Sequence, residues 1–119
     1  FELDNESVKA VDIASRKGGL GNRVKVKARD LKDLPLTSDE LSIYSAIIVD
    51  PPRSGAHLQF SHIARSKVPV IISISCNVNT FIRDSKILIG SNYELKWVQP
   101  IDQFLFSAHV ELVALFQLK

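Results

Sequence analysis

Three short stretches of the sequence carry side chains that could do chemistry together. They are Asp50-Pro51-Pro52-Arg53, Ser75-Cys76-Asn77 and His109-Val110-Glu111. A thiolate is a nucleophile, a carboxylate can act as a general base, and a guanidinium binds phosphate or carboxylate through a planar set of donors. The combination predicts covalent and acid–base chemistry on a bound ligand.

Asp50 follows an apolar run and precedes two prolines. Because proline fixes φ and donates no N–H, Asp50 is expected to stay extended at the end of a strand, where its carboxylate can accept hydrogen bonds from a ligand. Arg53 can bind an anion beside it. The alternative is a rigid turn with a surface ion pair, which contributes little to stability.

Cys76 is the only cysteine, which excludes an internal disulfide and a multi-cysteine metal site. It lies where a strand pattern passes into a helix pattern. Either Asn77 or Asn79 can cap that helix, and the positive end of the helix would then stabilise a Cys76 thiolate. The alternative is that Cys76 is a small buried apolar residue.

Glu111 lies at the start of an otherwise apolar strand pattern. Burying a carboxylate costs free energy unless the group is paired or used, and Glu111 is therefore a candidate general base. The alternative is a glutamate on an edge strand that faces water. His57, His62 and His109 are too scattered to form a metal motif, so no metal site is predicted.

The elements that must position these residues alternate between strand and helix patterns. Strands are predicted at residues 23–28, 44–49, 68–73, 93–98 and 110–117, and helices at 5–17, 58–67 and 80–89. Loops are predicted at 100–108 and at 30–40, which has room for one helical turn. Asn5 is expected to cap the first helix, and the apolar run 44–49 to be covered on both faces. The alternation predicts an α/β fold with a mostly parallel sheet, and the last two strands, which have no helix between them, are expected to be antiparallel.

Composition limits the class of protein. The chain has 119 residues, enough for one domain, and a net charge of +2, too weak to indicate a polyanionic partner by itself. No apolar run approaches the roughly 20 residues of a membrane span, and one cysteine fits a reducing cytoplasm. The sequence contains no methionine, even at position 1, which indicates a piece of a longer protein.

Together the three stretches resemble the catalytic domain of the RNA uracil-5-methyltransferases, which act on tRNA and ribosomal RNA. The matching residues are Ile48 to Ala56, then Ser75-Cys76-Asn77 with Thr80 and Arg83-Asp84, then Asp102, Phe104 and His109-Val110-Glu111. They keep the family's order. The resemblance implies a Rossmann-like class I methyltransferase sheet that uses S-adenosylmethionine, with RNA as the substrate.

The resemblance also implies roles for individual residues. Cys76 would be the nucleophile that adds to C6 of a flipped-out uracil, and Glu111 the base that removes the C5 proton after methylation. Asp50 would contact the methyl donor or the target base. Glu2, at what looks like a strand end, would hold the cofactor ribose.

Arg53 and Asn77 are assigned by the same resemblance to substrate binding, although Arg53 could instead hold Asp50. The sequence departs from the family at Val78, where the family usually has proline, and in the loop before His109. The family's first strand, its glycine-rich cofactor loop and its RNA-binding portion should all precede Phe1. The chain is therefore expected to be a partial catalytic domain with exposed sheet edges that close abnormally, pair with another chain or weaken cofactor binding.

Two alternatives remain open. Amino-group methyltransferases share an Asp-Pro-Pro motif, but their fourth residue is an aromatic that stacks on the base, where this chain has Arg53. The second alternative is a methyltransferase-fold fragment without activity. The sequence does not distinguish tRNA from ribosomal RNA as the substrate.

Overall fold

The computed structural model describes residues 1–103, 106–107 and 110–119, which form two units, Phe1–Pro35 and Leu36–Lys119. The helices are α1 (Asn5–Lys17), α2 (Ser38–Leu41), α3 (His57–Ser66) and α4 (Val78–Ile89). The strands are β1 (Ala46–Val49), β2 (Val70–Ser75), β3 (Tyr93–Ile101) and β4 (Glu111–Leu118).

The first unit consists of α1 and the segment that follows it. Asp4, rather than the predicted Asn5, caps α1, because the Asp4 carboxylate accepts hydrogen bonds from the backbone N–H groups of Glu6 and Ser7. Gly18 ends the helix, as predicted.

The predicted strand at residues 23–28 is wrong. This segment makes a single parallel bridge between Ala28 and Glu2, in which Glu2 N donates to the Lys27 carbonyl at 3.1 Å and Arg29 N donates to the Glu2 carbonyl at 2.9 Å. Alternation of valine with basic residues defines two faces. A strand also needs a neighbouring strand along its length, and among the described residues this segment has a backbone partner only at Glu2.

The second unit contains a four-stranded mixed sheet in the order β1-β2-β4-β3. The pair β1–β2 is parallel, and β4 is antiparallel to both β2 and β3. Three strands therefore point one way and β4 points the other way, which confirms the predicted α/β class and the antiparallel final pair. Helix α3 packs against α2 and α4, and α4 also packs against β2 and β3.

The core of this unit lies between the helices and the inner strands. Its fully buried side chains include Phe60, Ile63, Ile71, Leu88, Tyr93 and Phe116. The hydroxyl group of Tyr93 donates a 2.9 Å hydrogen bond to the Val68 carbonyl, which satisfies the one polar atom of this side chain, and burial raises the pKa of Tyr93.

Strand β1 is less covered than its sequence predicts. Among the described residues it pairs only with β2, and Ile48 is 68% exposed. The expectation of two covered faces is therefore wrong, because an apolar run forms a buried strand only where elements lie on both of its sides.

The remaining predicted bounds shift by a few residues. Strand β2 lies two residues later than predicted, and α4 begins two residues earlier, directly after the Cys76–Asn77 turn. Strand β3 runs on to Ile101, into part of the predicted loop 100–108, because its pairing with β4 extends that far. No helix within the described ranges is long and apolar enough to cross a membrane.

Candidate active site

Cys76 occupies the turn between β2 and α4. Strand β2 ends at Ser75, and Asn77 caps α4 by accepting hydrogen bonds from Asn79 N at 3.0 Å and Thr80 N at 3.5 Å. Asn77, of the two candidates, is thus the cap. The side chain of Ser75 also bonds to the Asn77 backbone, so the turn that carries the half-buried Cys76 is fixed on both sides.

Asp50 follows β1 directly and is exposed. Because β1 and β2 are parallel, with Val49 beside Ser73, their carboxyl ends lie at the same edge of the sheet. Asp50 and Cys76 follow these two ends. The structure thus brings the first two chemical stretches to one edge, as expected for a parallel pair.

Residues 50–56, called here the 50–56 loop, are bonded to the first turns of α4. The Arg53 carbonyl accepts hydrogen bonds from Asn77 Nδ2 at 3.1 Å and from the Thr80 hydroxyl at 3.3 Å. The Ser54 carbonyl accepts one from Arg83 Nη2 at 3.1 Å. The loop after β1 and the turn after β2 are therefore both attached to the N-terminal part of α4.

Glu111 is the first residue of β4 and is half-buried. It is paired with Ile101 of β3, and the next residue, Leu112, is paired with Ser75 at the end of β2. Cys76 and Glu111 are thus the residues one step beyond this last pair on two adjacent strands. Since β4 is an inner strand, the alternative of an edge-strand glutamate does not apply.

Other candidate residues lie elsewhere. Glu2 belongs to the first unit, is exposed, and accepts hydrogen bonds through Oε1 from the backbone N–H groups of Leu3 and Asp4 at 2.7 and 3.1 Å. His109 and Phe104 lie outside the described residues. In the parts of the chain that are described, no three His, Cys, Asp or Glu side chains are placed to hold a metal ion.

A family model of the tRNA (uracil-5-)-methyltransferases matches residues 6–119. The chain belongs to this family. An uncharacterised RNA methyltransferase of Mesorhizobium japonicum is 46% identical over 114 residues, which are 96% of this chain and 28% of that relative. A 23S rRNA (uracil(1939)-C(5))-methyltransferase of Pseudomonas putida is 43% identical over 74 residues, covering 62% of this chain and 16% of the relative.

Solved structures show the methyltransferase fold. The tRNA (uracil-54, C5)-methyltransferase of Pyrococcus abyssi, in complex with S-adenosyl-L-homocysteine, matches with a TM-score of 0.74 and 27% identity over 96% of this chain and 27% of that chain. A geranyl diphosphate methyltransferase matches with a TM-score of 0.70 at 8% identity, which supports the fold alone. The predicted family and fold are confirmed, and the chain spans about 28% of the length of the first curated relatives.

The sequence patterns assign no role to Arg83 and Asp84 in this family member, although in the structure both side chains bond to the backbone of the 50–56 loop. The Asp84 side chain is 3% exposed and accepts a 2.8 Å hydrogen bond from Arg83 Nε, which raises the pKa of Arg83. A usable signal existed in the sequence. Asp84 falls on the same helical face as Phe81 and Leu88, and a charge on an apolar face requires a partner.

Proposed function

We propose that this chain forms part of the catalytic domain of an RNA uracil-5-methyltransferase that uses S-adenosylmethionine. One observation supports this above the others. The 50–56 loop, the Cys76 turn and the start of β4 at Glu111 meet at one edge of the sheet. The substrate is RNA, either tRNA or ribosomal RNA, as the names of the relatives indicate.

Two carboxylates suit the cofactor. Glu2 is exposed and is oriented by hydrogen bonds from the backbone that follows it, so it can accept hydrogen bonds from ribose hydroxyls. Asp50 is exposed beyond β1 and can contact the methyl donor or the target base. When bound, S-adenosylmethionine supplies an electrophilic methyl group for C5 of uracil.

Cys76 supplies the nucleophile. Uracil C5 reacts poorly with an electrophile until a nucleophile adds at C6 and moves electron density onto C5. The Cys76 thiolate forms the S–C6 bond with a base that has left its stack. It lies just before the capped N-terminus of α4, the end of a helix at which the dipole favours a negative charge.

Glu111 completes the reaction. Once C5 carries the methyl group, the Glu111 carboxylate takes the C5 proton, the C5–C6 double bond re-forms, and the S–C6 bond breaks to return the thiolate. The half-buried position of Glu111 on an inner strand, beside the end of β2, suits this role.

Arg53 and Asn77 contribute to substrate binding in different ways. The Arg53 side chain is exposed on the 50–56 loop and can orient an RNA phosphate or hold Asp50. Asn77 uses its oxygen to cap α4 and its amide nitrogen to bind the Arg53 carbonyl. Its contribution is therefore to fix the shape of the surface that meets the RNA.

The rest of the catalytic domain, with the glycine-rich cofactor loop and an RNA-binding portion, is assigned to sequence outside residues 1–119. The low share of the relatives that this chain spans supports this assignment. The exposed Ile48 on β1, which is at the edge of the sheet in the described part of the chain, supports pairing of that edge with a strand from another segment or chain. An RNA substrate and the lone cysteine support a cytoplasmic location.

The test is covalent trapping in the full-length protein with S-adenosylmethionine and an RNA in which 5-fluorouridine replaces uridine. Fluorine at C5 cannot leave as a proton does, so the Cys76–RNA adduct should persist through denaturing electrophoresis, and mass spectrometry should map it to Cys76. Cys76→Ala should form no adduct and no 5-methyluridine, whereas Ile82→Ala, at an exposed position on α4, should behave as the wild type.

Two results would contradict the proposal. An adduct that forms equally in Cys76→Ala would show that Cys76 is not the nucleophile. Methylation of an exocyclic amino group, unaffected by Cys76→Ala, would instead support the amino-group alternative.

A further inference from the structure

Asp84 is a buried carboxylate with both oxygens engaged. Its Oδ1 accepts a 2.8 Å hydrogen bond from Arg83 Nε, and its Oδ2 accepts a 2.9 Å hydrogen bond from the backbone N–H of Ala56. A carboxylate that is 3% exposed is costly to bury, and these two charge-assisted bonds offset that cost. One of the two partners belongs to the 50–56 loop, 28 residues earlier in the chain.

Arg83 extends the same connection. Its guanidinium donates to Asp84 through Nε and to the Ser54 carbonyl through Nη2. The planar fork of arginine makes both bonds in fixed directions, which a lysine could not do. The pair Arg83–Asp84 therefore holds the loop at two residues, Ser54 and Ala56.

Gly55, between these two residues, provides independent evidence of a close approach. Its φ is +74°, a conformation that other residues rarely adopt. A Cβ atom built on Gly55 would lie 2.5 Å from Asp84 Oδ2 and 3.0 Å from Thr80 Cβ, and would overlap Arg83 Nη2. The loop backbone thus packs directly onto α4, at a distance that only glycine permits.

We propose that Arg83 and Asp84 are positioning residues that set Asp50 at a fixed distance from Cys76. The inference rests on the proposed function. Helix α4 carries Cys76 just before its first turn and holds the 50–56 loop with its second turn, so the two stretches move as one body. Displacements of about 1 Å in such an arrangement can lower a rate about 100-fold.

The test measures methyl transfer by the full-length protein in three variants. Arg83→Gln, at a half-exposed position, shortens the side chain so that it no longer reaches the Ser54 carbonyl. Asp84→Asn places an amide N–H group against one of the two donors, Arg83 Nε or the Ala56 N–H. Gly55→Ala adds a Cβ atom that pushes the 50–56 loop away from α4. We expect kcat to fall about 10-fold to 100-fold, with KM for RNA changed less than about threefold. Lys86→Ala, on an exposed part of α4, is the matched control and should keep the wild-type kcat.

A merely structural role predicts another pattern. In that case kcat per folded molecule stays within about twofold of wild type, and the variants differ only in their unfolding midpoint. That result in Arg83→Gln, which is the variant least expected to impair folding, would overturn the inference, as would an equal loss in Lys86→Ala.

Hydrogen exchange separates this inference from the proposed function. The Ala56 amide should exchange faster in Asp84→Asn than in wild type, whatever reaction the protein catalyses. If the wild type makes no 5-methyluridine, the proposed function fails, and the positioning role assigned to the pair fails with it. If the wild type is active and the variants keep its kcat, only the positioning role fails.

Discussion

Helices α1 and α4 are alike in length and amphipathicity but differ in what they bury. In the first unit, residues 1–35, only Ser15 is buried, and α1 leaves Val11 48% and Ile13 53% exposed. In the second unit, Leu88 of α4 is fully buried. The difference shows that an apolar helix face is covered only where other elements pack against it.

The sheet accounts for this difference. The described part of the second unit has three strand pairs, and α4 packs against two of these strands, β2 and β3. Within the described ranges, the first unit has one bridge, between Glu2 and Ala28. Because burial of apolar area is the main favourable term in folding, at about 25 cal/mol per Å², the second unit should hold nearly all of the stability.

The largest expected effect is that of Phe116→Ala in the second unit. Phe116 is fully buried on inner strand β4, and its ring centroid lies 6.5 Å from that of Phe81. Removing the ring leaves a cavity, so the free energy of unfolding should fall by about 3–5 kcal/mol in denaturant titrations. A fall of less than about 1 kcal/mol in the free energy of unfolding would show that Phe116 is not part of the core.

A smaller effect is expected for the cap of α4. Asn77→Ala removes the cap and the bond to the Arg53 carbonyl, which should lower the free energy of unfolding by about 1–2 kcal/mol. Asn79→Ala, at an exposed site two residues later, is the matched control, and it should change the free energy of unfolding by less than about 0.5 kcal/mol. Equal losses in the two variants would contradict the assignment of Asn77 as the cap.

A local effect is expected in the first unit. Hydrogen bonds from the hydroxyl and backbone N–H of Ser7 hold the pKa of Asp4 below the ordinary value of an aspartate. The stabilisation of α1 by ionised Asp4 is therefore fully present above the pKa that Asp4 has in the unfolded chain. It is lost as the pH falls through the lower pKa that Asp4 has in the folded protein. Cα chemical shifts of α1 should stay helical down to about pH 4 and become less helical below it.

Asp4→Asn is the control for this titration, since asparagine also caps helices but does not ionise. The pH dependence at the start of α1 should disappear in this variant while the helix persists. A pH dependence of the same size in Asp4→Asn would assign the effect to another group.

The smallest effect is expected for Ile13→Ala on the exposed face of α1. Because Ile13 is already half in water, the free energy of unfolding should change by less than about 0.5 kcal/mol. A loss close to that of Phe116→Ala would remove the contrast between the two units.

The sequence predicted the parts of this fold that depend on local signals. The passage from strand through Cys76 into a helix capped by Asn77 or Asn79 follows from residue types a few positions apart. The structure has this passage within two residues, with Asn77 as the cap. The strand predicted at 23–28 failed because alternation shows which face is apolar but not whether a neighbouring strand exists. The hydrogen bond between Ala56 and Asp84 could not be predicted from the sequence, because it joins residues 28 positions apart.

The place of β4 between β2 and β3 has a consequence for synthesis on the ribosome. Among the described strands β4 emerges last, yet it supplies the partner for one side of β2 and for β3. At about 5–20 residues per second, on the order of seconds pass between the appearance of Ser75 and that of Leu118. We expect the nascent protein to depend on chaperones during that interval, because the backbone groups along one edge of the apolar strand β2 have not yet paired with β4.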